Sequence, residues 1–143
     1  MVIVISSILF IVFLFTKVEV ETWQTESEIF VQRTLLSPHG ISYYDSLSNR
    51  VYPGIITTEN FETLGNSIQT KRLAAKIELF DQNNKLINKT YINQDKYKNW
   101  IVKQGIGGIG GVDVSRKSLY VLVKKDEKLT PATISYTIII PRS

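Results

Sequence analysis

The sequence predicts a mostly β, α+β protein: an apolar N-terminal anchor helix followed by an antiparallel β domain with short helices. Three observations carry this. Residues 1–15, MVIVISSILFIVFLF, hold no charge and only two polar side chains, Ser6 and Ser7. The second half contains alternating apolar runs, the period-two signature of strands. The stretches between them are punctuated by Pro, Gly, Asn and Asp, which mark turns and helix stops.

The apolar run is near the lower limit for a membrane span, which needs about 17–25 residues. Thr16 extends it, and Lys17 can lay its stem along the lipid boundary with its charge in water. This divides the chain into an anchor or assembly helix over 1–16 and a β-rich outer domain over 17–143. The expectation places the outer domain on the extracellular side, although no Lys or Arg precedes the span to set its orientation. A cleaved signal peptide lacks support because the basic leader and small-x-small cleavage site are missing.

After the anchor, KVEVETW alternates Val18 and Val20 against Glu19 and Glu21, as a half-buried strand does. TESEIFVQRTLLSP changes period. Thr25 and Glu28 form a capping-box pattern, Ile29, Phe30, Val31, Leu35 and Leu36 share a broad face, and Pro38 and Gly40 stop the chain. A helix is expected over about 26–36. ISYYD, SLSN and RVYPGII then read as two short strands around a turn. Pro53 has no amide donor, so the second strand must lie on an edge there or break. TTENFETLG reads as a short helix capped by Thr57 or Thr58 and stopped by Gly65.

The core strands are expected near 75–81, 86–92, 118–124 and 133–140, as in a β-sandwich. The first two form a hairpin around Asn83 and Asn84. On the third, Leu119, Val121 and Val123 share a face; on the fourth, Ile134, Tyr136, Ile138 and Ile140 do. DKYKNWIVK is either a short helix or a loop that packs Trp100, and KDEKLTPA is a turn.

The chain has 17 basic and 13 acidic residues, a net charge of +4, and no cysteine. Disulfides, thiolate metal sites and cysteine nucleophiles are thereby excluded. Charge is divided unevenly: residues 1–70 carry three basic and seven acidic side chains, residues 71–143 carry 14 basic and six acidic. A basic second half can favour an anionic polymer or lipid headgroups, with Lys124, Lys125 and Lys128 as candidate ligand-binding residues. Scattered lysines also serve simply to solvate β surfaces and protect edges.

Other signals point away from chemistry. His39 lies near Ser37, Ser42 and Asp45, but partners in a nucleophilic triad come from separate elements, and no nucleophile-elbow pattern surrounds either serine. One histidine and no cysteine do not make a usual zinc set, and DQNNKLINK lacks the acidic twelfth position of a calcium loop. Gly105, Gly107 and Gly110 match G-x-G-x-x-G in letters, without the strand before and helix after that dinucleotide binding needs. The isoleucines of that loop suggest that it packs on something. Asn88-Lys89-Thr90 is a glycosylation sequon, relevant only outside the cell. KYKNW interleaves aromatics with lysines but is a weak nucleic-acid signal. No enzyme activity and no cofactor or metal are expected.

A helix ending LLSP that runs into ISYYD, RVYPGII and a short acidic helix with Phe61, all behind an apolar N-terminus, resembles small archaeal membrane-anchored proteins of type IV pilin-like kind. The block 30–61 and the anchor carry the resemblance, under half of the chain. It implies a structural or accessory surface subunit, in a filament or in the membrane, with Ile5, Leu9, Phe13 and Lys17 in the anchor or assembly helix. Its partners would be the lipid bilayer and self or related subunits. The alternative is a membrane-tethered extracellular binding module whose basic face holds an acidic ligand.

Overall fold

The computed structural model describes Ser6, Phe10 and residues 22–68, 70–126 and 128–142. Among these, the elements are α1 (Thr22–Leu36), β1 (Ser42–Asp45), β2 (Arg50–Thr57), α2 (Thr58–Ser67), β3 (Ala74–Asp81), β4 (Leu86–Ile92), α3 (Gln94–Ile101), β5 (Val112–Lys125) and β6 (Lys128–Pro141). The strands form one six-stranded sheet in the order β1-β2-β5-β6-β3-β4. All neighbours are antiparallel except β2 and β5, which pair in parallel through Ile55–Leu122, Ile56–Val123 and Thr57–Lys124.

The mostly β composition agrees with expectation, but three parts of the expected architecture are corrected. Among the described residues no helix is long and apolar enough to cross a membrane. The longest, α1, has 15 residues and carries glutamate, glutamine and arginine, so it is a surface helix with one buried stripe. The expected anchor over 1–16, with Ile5, Leu9 and Phe13, and Lys17 beside it, lies outside the described residues except for Ser6 and Phe10. The two-sheet sandwich is replaced by a single sheet, because helices rather than a second sheet bury its apolar face. The purely antiparallel sheet is also mixed, since the long connection from β2 to β5 returns the chain in the same direction.

The core lies between one sheet face and α1 and α2. Ile77, Leu79, Ile134, Tyr136 and Ile138 come from the sheet; Phe30 and Val31 come from α1; Phe61 and Leu64 come from α2. The expected alternations of β5 and β6 hold, with Val121, Val123, Ile134, Tyr136, Ile138 and Ile140 buried. Both strands run farther than expected, and Lys125 pairs directly with Lys128, so KDEKLTPA is largely strand. The turn needs only a tight reversal, with Asp126 at φ 48°.

Local details sharpen other expectations. Thr22 and Trp23 are already helical, so α1 starts before the Thr25 capping box; residues 17–21 of the expected preceding strand lie outside the described residues. Pro53 falls where pairing slips: Tyr43 faces Tyr52 but Ser42 faces Ile56, so the missing amide coincides with a bulge. Gly65 lies inside α2 rather than ending it. A Cβ there would meet the Tyr91 carbonyl oxygen at 2.9 Å, so glycine lets α2 approach β4. KYKNW is helical. In α3, Tyr97, Trp100 and Ile101 pack on Ala74, Val112 and Ile139, covering one end of the sheet's second face.

Candidate functional site: the uncovered sheet face

Strand register fixes which side chains share the second face. Beyond α3, Leu86, Phe80, Thr133 and Tyr120 form a row across four strands, each directly opposite the next. The adjacent row is Pro131, Leu122 and Ile55. Next come Leu129, Lys124 and Thr57. β5 and β6 lie inside the sheet, yet Tyr120 is 93% exposed and Leu122, Leu129 and Leu86 are also exposed. A large aromatic displayed on a central strand among other apolar side chains is an open contact surface, unlike a scattered surface leucine.

Cations rim this surface. Lys124 Nζ lies 3.7 Å from the Tyr43 ring centroid, within cation–π range. Tyr43 in turn packs on Tyr52 across β1 and β2, with centroids 5.9 Å apart. Arg116 and Lys89 belong to the same face by register and are exposed. Two acids of the neighbouring strands are engaged. Glu78 pairs with Lys76 at 2.9 Å, and its hydrogen bond raises the Lys76 pKa. Asp45 accepts from the Ser48 hydroxyl and the Leu47 amide, which hold its carboxyl below the ordinary carboxylate range; Lys124 adds to the same shift. The face therefore presents an apolar and aromatic floor with positive charge at its margin.

The three lysines expected to act together are divided. Lys124 stands opposite Leu129 on the uncovered face, whereas Lys125 and Lys128 face one another on the helix side at the hairpin tip. Strand alternation separates neighbours 124 and 125, so the three do not form one patch. Asn88 sits half-buried on edge strand β4, opposite Leu79, with its side-chain oxygen accepting from the Lys89 amide.

The His39 stretch does not assemble a reactive group. Ser42 is buried, Asp45 is engaged within its own turn, and the His39 amide donates to the Ser37 hydroxyl. Among the described residues no group of three or more His, Cys, Asp or Glu could hold a metal ion. The glycine-rich loop runs from α3 into β5, the reverse of the strand-to-helix order that dinucleotide binding requires.

Sequence reasoning missed Tyr120, Leu122, Leu129 and Phe80. The signal was present in LYVLV, which is apolar on both faces of a strand. Its second face was left unassigned because sequence alone does not show whether a helix covers it.

No protein-family model, curated protein or solved structure matches this chain. The pilin-like resemblance and the filament and archaeal expectations that came with it therefore gain no support, and the transmembrane expectation is corrected by the lack of any described helix long and apolar enough to span.

Proposed function

We propose that this chain is a binding module that holds an acidic ligand on the uncovered face of its sheet, and that it acts by binding rather than by catalysis. The observation that carries this reading is Tyr120, almost fully exposed on an inner strand beside Leu122, on a face whose margin carries Lys124, Lys89 and Arg116. Tyr120, Leu122 and Leu129 supply contact area. Lys124 supplies charge from a position fixed by the Tyr43 ring. An anionic polymer with apolar or planar groups along its length fits this arrangement better than a small ion, because the exposed apolar area is extended.

Retention of the full chain on immobilised dextran sulfate tests the reading. Tyr120→Ala should weaken retention about tenfold, the equivalent of roughly 1.4 kcal/mol of lost contact. Lys124→Ala should weaken it and flatten its salt dependence, because screening shortens from about 10 Å at 0.1 M salt to about 3 Å at 1 M. A Lys125→Ala, Lys128→Ala pair, on the other face, should change retention less than Lys124→Ala alone. Retention insensitive to salt, or a larger loss from the Lys125 and Lys128 pair, would overturn the assignment.

A further inference from the structure

The loop from Val102 to Gly111 is ordered by its own backbone yet displays branched apolar side chains to solvent. The Lys103 and Gln104 amides donate to Trp100 and Ile101 carbonyls, Ile106 donates to Lys103, and Gly111 donates to Gly108. Gln104 bridges Val112, and the Gly111 carbonyl accepts from the Arg142 amide. Gly111 packs so tightly that a Cβ there would meet the Ile106 carbonyl oxygen at 2.1 Å. Gly105, Gly108 and Gly110 adopt positive φ, which lets the chain reverse within a few residues. Despite this ordered base, Val102 is 77% exposed, Ile106 52% and Ile109 91%. The isoleucines, expected to pack on something, do not pack on this domain.

Cations flank the apolar tip. Lys98 is exposed on α3, Lys103 lies within the loop, and Arg116 Nη2 donates to Gln104 Oε1 at the loop's base. Lys96 lies over the Trp100 ring, 5.7 Å from its centroid. Of the nearby acids, Asp113 is paired with Arg142, leaving exposed Asp95 in the first turn of α3 against these cations. Topology adds a further observation. Glu26 near the start of α1 pairs with Arg72, just before β3, and Ala74 at the β3 start faces Ile139, which faces Val114 near the start of β5. The start of α1 thus lies at the sheet end that carries the loop. The β5–β6 tip with Lys124 lies about 40 Å away, at about 3.3 Å per residue.

We propose that the 102–111 loop is a peripheral docking element for an anionic lipid surface, inserting Val102, Ile106 and Ile109 at the headgroup–acyl boundary while Lys98 and Lys103 meet the headgroups. A convex, nearly fully exposed apolar tip needs no matching pocket when its partner is a fluid acyl boundary, and basic residues beside it supply the electrostatic half of such binding. This goes beyond the ligand face, which remains at the far end of β5 and open to solvent when the loop is docked.

Because the chain has no native cysteine, a single label reports the loop alone. Ile109→Cys and, at the far hairpin tip, Lys128→Cys are each spin-labelled in the full chain, and label depth is read with oxygen and nickel relaxants. The probes are vesicles of phosphatidylglycerol with phosphatidylcholine, and of phosphatidylcholine alone. The label at 109 should enter the acyl boundary only on the anionic vesicles, while the label at 128 stays aqueous on both. Lys98→Glu with Lys103→Glu should reduce the inserted fraction at least about tenfold, since each basic residue near such a surface contributes about fivefold. A label at 109 that stays in water on anionic vesicles overturns the proposal even if the chain sediments with them. Equal insertion into neutral vesicles, or insertion of the label at 128 as well, overturns it too.

Discussion

A buried hydroxyl pair ties α1 to the centre of the sheet, and its proton order predicts an asymmetric mutational result. Thr34 Oγ1 donates to the Val31 carbonyl at 2.7 Å and lies 3.1 Å from Tyr136 Oη. A threonine hydroxyl has one proton, already used on Val31, so Tyr136 must be the donor and Thr34 the acceptor. Both side chains are fully buried. Tyr136→Phe removes a donor and leaves Thr34 bonded to Val31, so it should cost about 0.5–1.5 kcal/mol, the net worth of an ordinary hydrogen bond. Thr34→Val keeps the shape but strands the Tyr136 hydroxyl without an acceptor. That leaves a buried donor desolvated and should cost more, about 1–3 kcal/mol. The double variant removes both groups and should cost about as much as Tyr136→Phe alone, below the sum of the singles by at least about 1 kcal/mol. Urea denaturation of the full chain, followed by tryptophan emission, measures all four corners of this cycle. Additive costs, or a Thr34→Val cost no larger than that of Tyr136→Phe, would refute the assigned proton order.

The same burial makes stability sensitive to alkali. Desolvation pushes the Tyr136 pKa up from its ordinary value of 10.0, so this stabilisation is complete below about pH 10 and declines as pH rises from there toward the folded-state value. Each proton held more tightly by the folded chain gives a slope of about 1.4 kcal/mol per pH unit; Tyr97, also raised by burial, adds to it, and Tyr136→Phe should remove one such share in denaturation measured from pH 9 to 11. Glycines should divide sharply by contact. A Cβ at Gly40 would meet the Thr34 carbonyl oxygen at 2.0 Å, an oxygen already bonded to the Ile41 amide, so Gly40→Ala should cost about 3 kcal/mol; Gly107 has nothing within 4 Å, and Gly107→Ala should stay within about 0.5 kcal/mol by thermal denaturation.

Much of the fold was legible wherever local chemistry sets local structure. Period-two alternation in β5 and β6 correctly identified their buried face, since a one-residue slip in register would turn each strand's apolar set to solvent. Pro53 marked the β2 irregularity because a missing amide cannot be paired anywhere. Gly65 misled for the opposite reason. Its sequence position suits a helix stop, but its role is close approach to the Tyr91 carbonyl, a contact made by a strand more than 20 positions later.

The candidate site was less legible because it depends on what fails to cover a surface. LYVLV shows that β5 is apolar on both faces; the sequence does not show that α1 and α2 cover one face while α3 covers only an end of the other. Nor does adjacency show that Lys124 and Lys125 part company across the sheet, or that Lys124 meets Tyr43 from β1. By itself, the sequence determined the absence of thiol chemistry, the uneven charge, the strand periods and most turns, all properties of composition or of neighbouring residues. The tertiary structure decided the parallel β2–β5 pairing, the buried Thr34–Tyr136 bond, the open aromatic row and the exposed 102–111 loop. Those depend on contacts between segments far apart in the chain, whose geometry exists only once the sheet has closed around its core.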